Sequence, residues 1–380
     1  MGNIPIGVTV REDNSRISRP ATGAATSVAG FFLHTKDAEE AETEGEHRIA
    51  TAYPVAATAE VLSWSQALMG LLDEETQTAM AEDRKTWRLS PGLSALKGFF
   101  DNGGQRAFVC AKGKGDSEAA IAEILHEDIQ LLLCPEDDGD EVHNLALNAC
   151  EKHGRCFYVG QAQDREPTEL TSVYGALYSP RLKDGVPIVG HVAGVFARTA
   201  ATRGVWKAPA GPQAQLRGAL ELTEHVGDDD FQKAVENKIN VVRRRPGAGL
   251  VIGSARTLRA TDDDTAWRYV STRLLMNYIK SSLMDGIAWA HYEPNDARLW
   301  GRLEFNTIRP FLMDLWRRGA FGSGTPDECF QIRIDAELNP PAAVNNGELA
   351  IEVTFYPVRP AESIVLTIGQ QDSGATARER

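Results

Sequence analysis

The chain has 380 residues, 42% hydrophobic and 24% charged, which suits two ordinary globular domains or one large domain with appended arms and excludes a disordered chain. A formal net charge of −13 disfavours nonspecific nucleic-acid binding by the surface as a whole. No run approaches the roughly 18 consecutive apolar residues of a membrane span, so direct membrane insertion is not expected.

In chain order, Met1-Gly2-Asn3-Ile4-Pro5-Ile6 shows no basic start followed by an apolar stretch, so no secretory signal is read. Ile6 also stands where a myristoylation signal needs Ser or Thr. Residues 6–10 alternate like a short strand that includes Val8 and Val10, and residues 11–20 are polar, so residues 1–20 read as an arm. Residues 26–34 read as a strand, and residues 38–46, with five glutamates, as a solvated loop. Around residues 93–112 a helix ends on Asn102-Gly103-Gly104, which supplies positive φ, and turns into the buried strand of Ala107-Phe108-Val109-Cys110.

Residues 129–134 form an apolar run stopped by Pro135, residues 142–152 have helical spacing, and residues 156–159 are apolar again. Strand, helix and strand in that order argue for a βαβ unit and a parallel sheet. A C-terminal region is expected to begin near Phe231. Asp264 is a candidate N-cap for a helix over residues 265–284 that Gly286 would end. On it Trp267, Val270, Leu274 and Tyr278 share one face, and Arg273 and Lys280 should project away from it. A second helix covers about residues 299–318, and Pro310 should kink or split it.

The last part alternates like strands: Phe330, Ile332 and Ile334; then Leu349, Ile351, Val353 and Phe355; then Ile364, Leu366 and Ile368 before a polar tail. The five cysteines form no CxxC pair and read as buried free thiols of a reducing cytoplasm. Charge is unevenly placed: residues 233–318 hold 15 Lys and Arg against 9 Asp and Glu, a basic block inside an acidic protein.

Few residues suggest chemistry. His191, with Tyr174, Arg198 and Arg203 nearby in sequence, could serve acid–base work, but a lone histidine in Gly190-His191-Val192 is more often a helix-start or packing residue. Asp228-Asp229-Asp230 and Asp262-Asp263-Asp264 lack the spaced ligands and glycine of a calcium loop. Gly113-Lys114-Gly115-Asp116 and Gly247-Ala248-Gly249 lack phosphate-cradle spacing. No catalytic residue, metal ligand or cofactor site is expected. The short strands at the two ends allow two readings. They close the subunit's own sheet, or they pair with another chain.

A set of ordered phrases bears on that choice. They are Arg19-Pro20 with Thr26-Ser27-Val28-Ala29; Leu96-Lys97-Gly98-Phe99-Phe100-Asp101-Asn102-Gly103-Gly104; Ile239-Asn240-Val241-Val242-Arg243-Arg244-Arg245-Pro246-Gly247; Trp267-Arg268-Tyr269-Val270; Glu293-Pro294-Asn295-Asp296; Leu315-Trp316-Arg317-Arg318-Gly319-Ala320; and Asn339-Pro340-Pro341. Together they resemble the sheath proteins of contractile phage tails and related contractile injection systems. The resemblance implies a two-domain subunit of α/β and α+β class. Residues 1–20 would be an N-terminal arm, 21–230 an outer α/β domain of subtilisin-like but non-catalytic fold, 231–360 an inner C-terminal domain, and 361–380 a C-terminal arm and tail.

The family further implies stacked hexameric rings of the chain itself around an inner tube protein, with baseplate and tail-terminator or cap proteins as other partners. Val8, Val10, Ile364, Leu366 and Ile368 would exchange strands between subunits, and about 20 extended residues at ~3.3 Å each reach roughly 60 Å. Arg273 and Lys280 become candidates to face an acidic tube. Such a product would be made and assembled in the bacterial cytoplasm, as part of a phage tail or of a tail-like particle that can be released. The competing classes are a soluble α/β enzyme of unknown reaction and an inert filament with a single lattice.

Overall fold

The computed structural model describes residues 21–35, 43–44, 47–55, 57–83, 87–218, 220–259 and 267–360. The order begins β1 (Ala29–His34), β2 (Thr43–Glu44), β3 (His47–Ala50), β4 (Ala59–Val61), α1 (Trp64–Leu71), α2 (Glu74–Glu82), β5 (Trp87–Leu89), α3 (Pro91–Asp101), β6 (Ala107–Lys112) and α4 (Ser117–Ile124). It continues β7 (Leu131–Leu133), α5 (Asp140–His153), β8 (Phe157–Gln161), β9 (Gly175–Ser179), α6 (Val189–Arg203), α7 (Asp228–Glu236), β10 (Ile239–Arg245) and β11 (Gly249–Ile252).

Eight of these strands form one sheet in the order β11-β10-β9-β8-β7-β1-β6-β4. Its six central strands run parallel, and β11 and β4 join antiparallel at the edges. The apolar runs seen in sequence are continuous because both faces are covered. Phe31, Leu33, Leu131, Leu133 and Tyr178 face α3 and α6, whereas Phe32, Leu132, Tyr158 and Leu177 face α4 and α5. All five cysteines are buried free thiols.

Helix ends follow local chemistry. Ser90 caps α3 by accepting from the Leu93 N–H, Gly103 takes φ +117 after it, and Gly154 closes α5 in the left-handed region. Helices α3 and α6 meet almost backbone to backbone: a Cβ on Gly190 would lie 1.9 Å from the Ala95 carbonyl oxygen, and one on Gly194 2.4 Å from that of Phe99. These glycines, one turn apart, set the α3–α6 distance. The glutamate-rich stretch is described only in part; Thr43 and Glu44 pair as β2 with β3, which corrects the loop expectation there.

The remainder comprises α8 (Val270–Ile287), α9 (Ala297–Gly301), a π-helical segment Arg302–Ile308, α10 (Arg309–Arg317), α11 (Pro326–Cys329), β12 (Phe330–Arg333), α12 (Pro341–Asn345) and β13 (Glu352–Phe355). Helix α8 starts at Val270, five residues later than expected, and Asp264 lies outside the described residues. The cause is a competing pairing: the Thr257 hydroxyl donates to the Trp267 carbonyl, the Thr257 N–H to that of Arg268, and the Val270 N–H to that of Ala255. That holds residues 267–269 extended. Gly286 does not end the helix; a Cβ there would lie 2.4 Å from that of Ala21, so it is a contact glycine instead.

Pro310 neither splits nor ends its helix. A proline cannot donate to the carbonyl four residues back and its ring collides with it, and the wider π turn immediately upstream absorbs both faults.

Two expected domain limits move. Strands β10 and β11 extend the large sheet, Ile239 pairing with Leu177, so the α/β body runs past residue 231 to about Leu258. Residues 21–24 are not part of that body: the Ala21 N–H donates to the Thr307 carbonyl at 3.2 Å and the Ala24 N–H to the Ser282 hydroxyl at 2.9 Å. Sequence continuity with β1 hid this docking, because Ala and Gly carry no periodicity.

Candidate assembly surface

β12 and β13 form a sheet of only two strands, pairing Phe330 with Phe355 and Arg333 with Glu352. Such a ribbon is marginal alone, and three devices hold it. Phe321 packs on Phe330 and Phe355 at ring distances of 5.9 and 5.5 Å. Arg333 spans Asp335 and Glu337 at 2.8 Å each. Asn339, buried at 2% exposure, donates to the Ala350 carbonyl at 3.0 Å and accepts from the Ala350 N–H at 2.7 Å.

That amide stands in for a strand partner just before β13 begins. The Val353 and Phe355 backbones then face away from β12 and pair with no strand among the described residues. Just beyond Phe355 that side is taken up, the Gly322 N–H donating to the Tyr356 carbonyl and the Val358 N–H to that of Ala320, so the open stretch is short. Such a stretch is a template for strand addition. Val8, Val10, Ile364, Leu366 and Ile368, the expected strand-exchange residues, lie outside the described residues.

Arg273 corrects an expectation. It does not project away from α8 but is 5% exposed, its guanidinium 4.3 Å from the Tyr174 ring centroid and 4.9 Å from that of Trp267. Its Nε donates to Asn277 Oδ1 at 2.9 Å, and Asn277 Nδ2 donates to the Cys156 carbonyl at 3.3 Å. Burial lowers its pKa from the ordinary arginine value. The reason is the late helix start: with residues 267–269 extended, Trp267 folds over Arg273 instead of sharing a helical face with Leu274. Lys280, two turns on, is exposed, and its Nζ donates to the Gly154 carbonyl at 3.3 Å. Asn277 and Lys280 thus tie α8 to the loop between α5 and β8, and Arg273 ties it to Tyr174 just before β9.

Much of the basic block is similarly committed within the subunit. Arg243 pairs with Asp228 and lies 4.0 Å from the Phe231 ring centroid, Arg302 pairs with Glu293, Arg309 with Glu304, and Arg318 with Asp314. Residues that suggested chemistry are packed too. His191 is 6% exposed on α6 against Gly98, and burial pulls its pKa down to about 4. Asp228, Asp229 and Asp230 form the first turn of α7, where carboxylates suit the helix dipole. At the C-terminal ends of β1 and β7, where α/β enzymes hold ligands, Glu136 accepts from the His34 N–H at 2.6 Å and Asp137 lies 3.0 Å from the His34 ring. Among the described residues no group of three or more His, Cys, Asp or Glu is placed to hold a metal ion, and no helix is long and apolar enough to cross a membrane.

Residues 111–258 match the family described as phage tail sheath protein central domain, and residues 262–371 match the phage tail sheath C-terminal domain. The chain belongs to the phage tail sheath family. The junction between the two matches falls a few residues after β11, just past Leu258, whose N–H still donates to the Gly175 carbonyl of the α/β body. Curated sheath relatives include the tail sheath protein of Vibrio phage KVP40, 27% identical over 181 residues, and that of Enterobacteria phage T4, 25% identical over 182. Each alignment covers 47% of this chain but only 25% and 26% of those proteins, so the matched stretch is about a quarter of their length.

Solved sheath folds agree over nearly the whole chain. The sheath of the PVC extracellular contractile injection system in its contracted state superposes with TM-score 0.74 at 24% identity, covering 98% of both chains. The contracted helical sheath of the anti-feeding prophage gives 0.75 at 24% identity, covering 98% of this chain and 100% of that one. Within this sheath fold, sequence reasoning missed the pairing of Asn339 with Ala350 and the stacking of Arg273. Asn339-Pro340-Pro341 stood out as a phrase, but no local pattern shows which backbone an amide will reach.

Proposed function

We propose that this chain is the structural, non-enzymatic subunit of a contractile sheath. It polymerises as stacked hexameric rings around an inner tube and contracts from a metastable extended state to drive that tube through a target envelope. One observation carries the reading: an α/β body and a C-terminal part, matching contracted sheath subunits over 98% of the chain, present a two-stranded ribbon with edge positions at Val353 and Phe355 that pair with no strand among the described residues. Strands from neighbouring arms, with Val8 and Val10 at one end and Ile364, Leu366 and Ile368 at the other, would fill those edges. The links would then hold while rigid bodies reorient.

Contraction needs no nucleotide on this reading. A gain of about 1–3 kcal/mol per subunit, a typical coupling energy, sums over many subunits. Inner tube, baseplate and terminator or cap proteins are the partners, and assembly takes place in the bacterial cytoplasm. Negative-stain microscopy of the purified chain tests this, with tubes as the expected result. Deleting residues 1–11 or 361–380 should leave folded subunits that do not polymerise. Monomers or small oligomers from the intact chain, or normal tubes from either deletion, would overturn it.

A further inference from the structure

A cleft of about 510 Å³ lies between the segment after α6, helix α7, the end of β10 at Arg245, the residues that follow β11, Tyr269, and residues Val358 to Pro360. Five cations line it, Arg203, Lys207, Arg245, Arg256 and Arg359, and among the described residues its lining holds no aspartate or glutamate. Arg256 and Arg359 are engaged, whereas Arg203, Lys207 and Arg245 have no side-chain hydrogen bond or ion pair among the described residues, unlike Arg243, Arg302, Arg309 and Arg318 of the same region. In a chain of net charge −13, three unneutralised cations around one concavity call for an explanation.

A second observation comes from the buried lining. Trp206 is 5% exposed and Ser254 7% exposed, and the Trp206 Nε1 and Ser254 Oγ atoms are both buried without a hydrogen-bond partner. Unmet buried polar groups cost roughly 1–3 kcal/mol each, and here two line the same cleft as the free cations. An indole N–H can only donate, so it wants an acceptor.

We propose that this cleft is a binding site for a compact multivalent oxyanion of the di- or triphosphate class. Three free cations lining one cleft exceed what one carboxylate can neutralise, whereas a linear triphosphate offers several charged oxygens within a few ångströms. The volume falls in the range of small-ligand pockets, roughly 300–1,000 Å³. The anion would accept from the indole N–H and the serine hydroxyl while it joins Arg203 and Lys207 to Arg245. Because Val358 to Pro360 wall the cleft, occupancy would also fix the point from which the C-terminal segment departs. The site stands independently of the sheath reading.

The probe is inorganic tripolyphosphate, titrated into the intact chain by calorimetry, with sodium chloride and sodium sulfate at equal ionic strength as controls. Saturable one-to-one binding is expected, with dissociation constants raised about tenfold or more by Lys207→Glu and by Arg245→Gln. Trp206→Phe, which keeps the ring and removes the donor, should also weaken binding, and circular dichroism confirms that each variant is folded. Adenosine triphosphate binding as tightly as tripolyphosphate would place recognition in the phosphates. Two results would overturn the proposal: heats that sulfate reproduces, or no binding together with concentration-dependent self-association lost in Lys207→Glu. The latter would assign the cleft to an acidic surface of a second copy.

Discussion

Replacing Arg273 by alanine separates a clamp inside the subunit from a residue that faces a partner. The side chain lies within 5 Å of two ring centroids, contacts worth about 1 kcal/mol each in a partly desolvated site. Its Nε bond to Asn277 is charge-assisted, about 1.5–3 kcal/mol, and losing it leaves the Asn277 oxygen buried. Removing a buried cation returns part of this, because its desolvation cost disappears. The net expectation is a loss of about 3 kcal/mol. An exposed arginine waiting for a tube would lose no more than about 0.5 kcal/mol. The assay is urea unfolding of the unassembled subunit, with amide exchange on α8 as a local readout. Exchange should accelerate over the turn that carries Asn277. An Arg273→Ala subunit within about 0.5 kcal/mol of the parent, with α8 exchange unchanged, would refute the clamp.

Lys280→Glu should leave subunit stability within about 0.5 kcal/mol, since the exposed amine makes one long bond to a carbonyl. If Lys280 faces the tube, the same variant should impair extended assembly in a sedimentation assay with tube protein. His191 is held neutral in the fold, with a pKa of about 4 against an ordinary 6.5, so the unfolded chain binds the extra proton between those values. Stability should therefore fall as pH drops from about 6.5 to 4, by on the order of 3 kcal/mol, and His191→Phe should flatten that slope in urea titrations. Gly190→Ala should prevent soluble expression or cost more than about 3 kcal/mol, because the new methyl would meet backbone that cannot swing aside. Gly301→Ala, a helical position with open space around it, should instead add about 0.5–1 kcal/mol. Asn339→Ala should cost about 1–3 kcal/mol by orphaning the Ala350 N–H and carbonyl, and should weaken tube formation more than it weakens the α/β body.

The parallel sheet was legible because burial on both faces leaves continuous apolar runs, as in Phe31-Phe32-Leu33 and Leu131-Leu132-Leu133. Turn chemistry at Asn102-Gly103 was equally local and equally readable. The errors share a cause, a tertiary contact stronger than the local signal. Residues 267–269 have helical spacing with Val270 and Leu274, yet their backbone pairs with residues 255–257, and Arg273 is buried as a result. Gly286 looks like a helix stop but is small because Ala21 lies against it. Pro310 announces a break, but the π-helical segment just before it keeps the chain helical through Arg317. Strand exchange by the two ends was expected only through family resemblance, since alternation in a short strand does not say whether its partner belongs to the same chain.

The described residues next to the two proposed arms bear on how contraction would proceed. Residues 21–24 bond to α8 and to Thr307 in the C-terminal part, and only afterwards does the chain enter β1 of the α/β body. At the other end, β13 leads through Val358, whose N–H donates to the Ala320 carbonyl, to Pro360 at the rim of a cleft shared with the α/β body. Load applied to the N-terminal arm would therefore reach α8 first, and α8 is fixed to the α/β body by Arg273, Asn277 and Lys280. A subunit strapped in this way would turn as one piece, so the change of shape would fall on the links between subunits. If that is correct, loosening the clamp should broaden the contracted lattice before it blocks assembly. Arg273→Ala tubes imaged by microscopy should then show a wider spread of diameters than parent tubes, while an unchanged spread would place the flexing within the subunit.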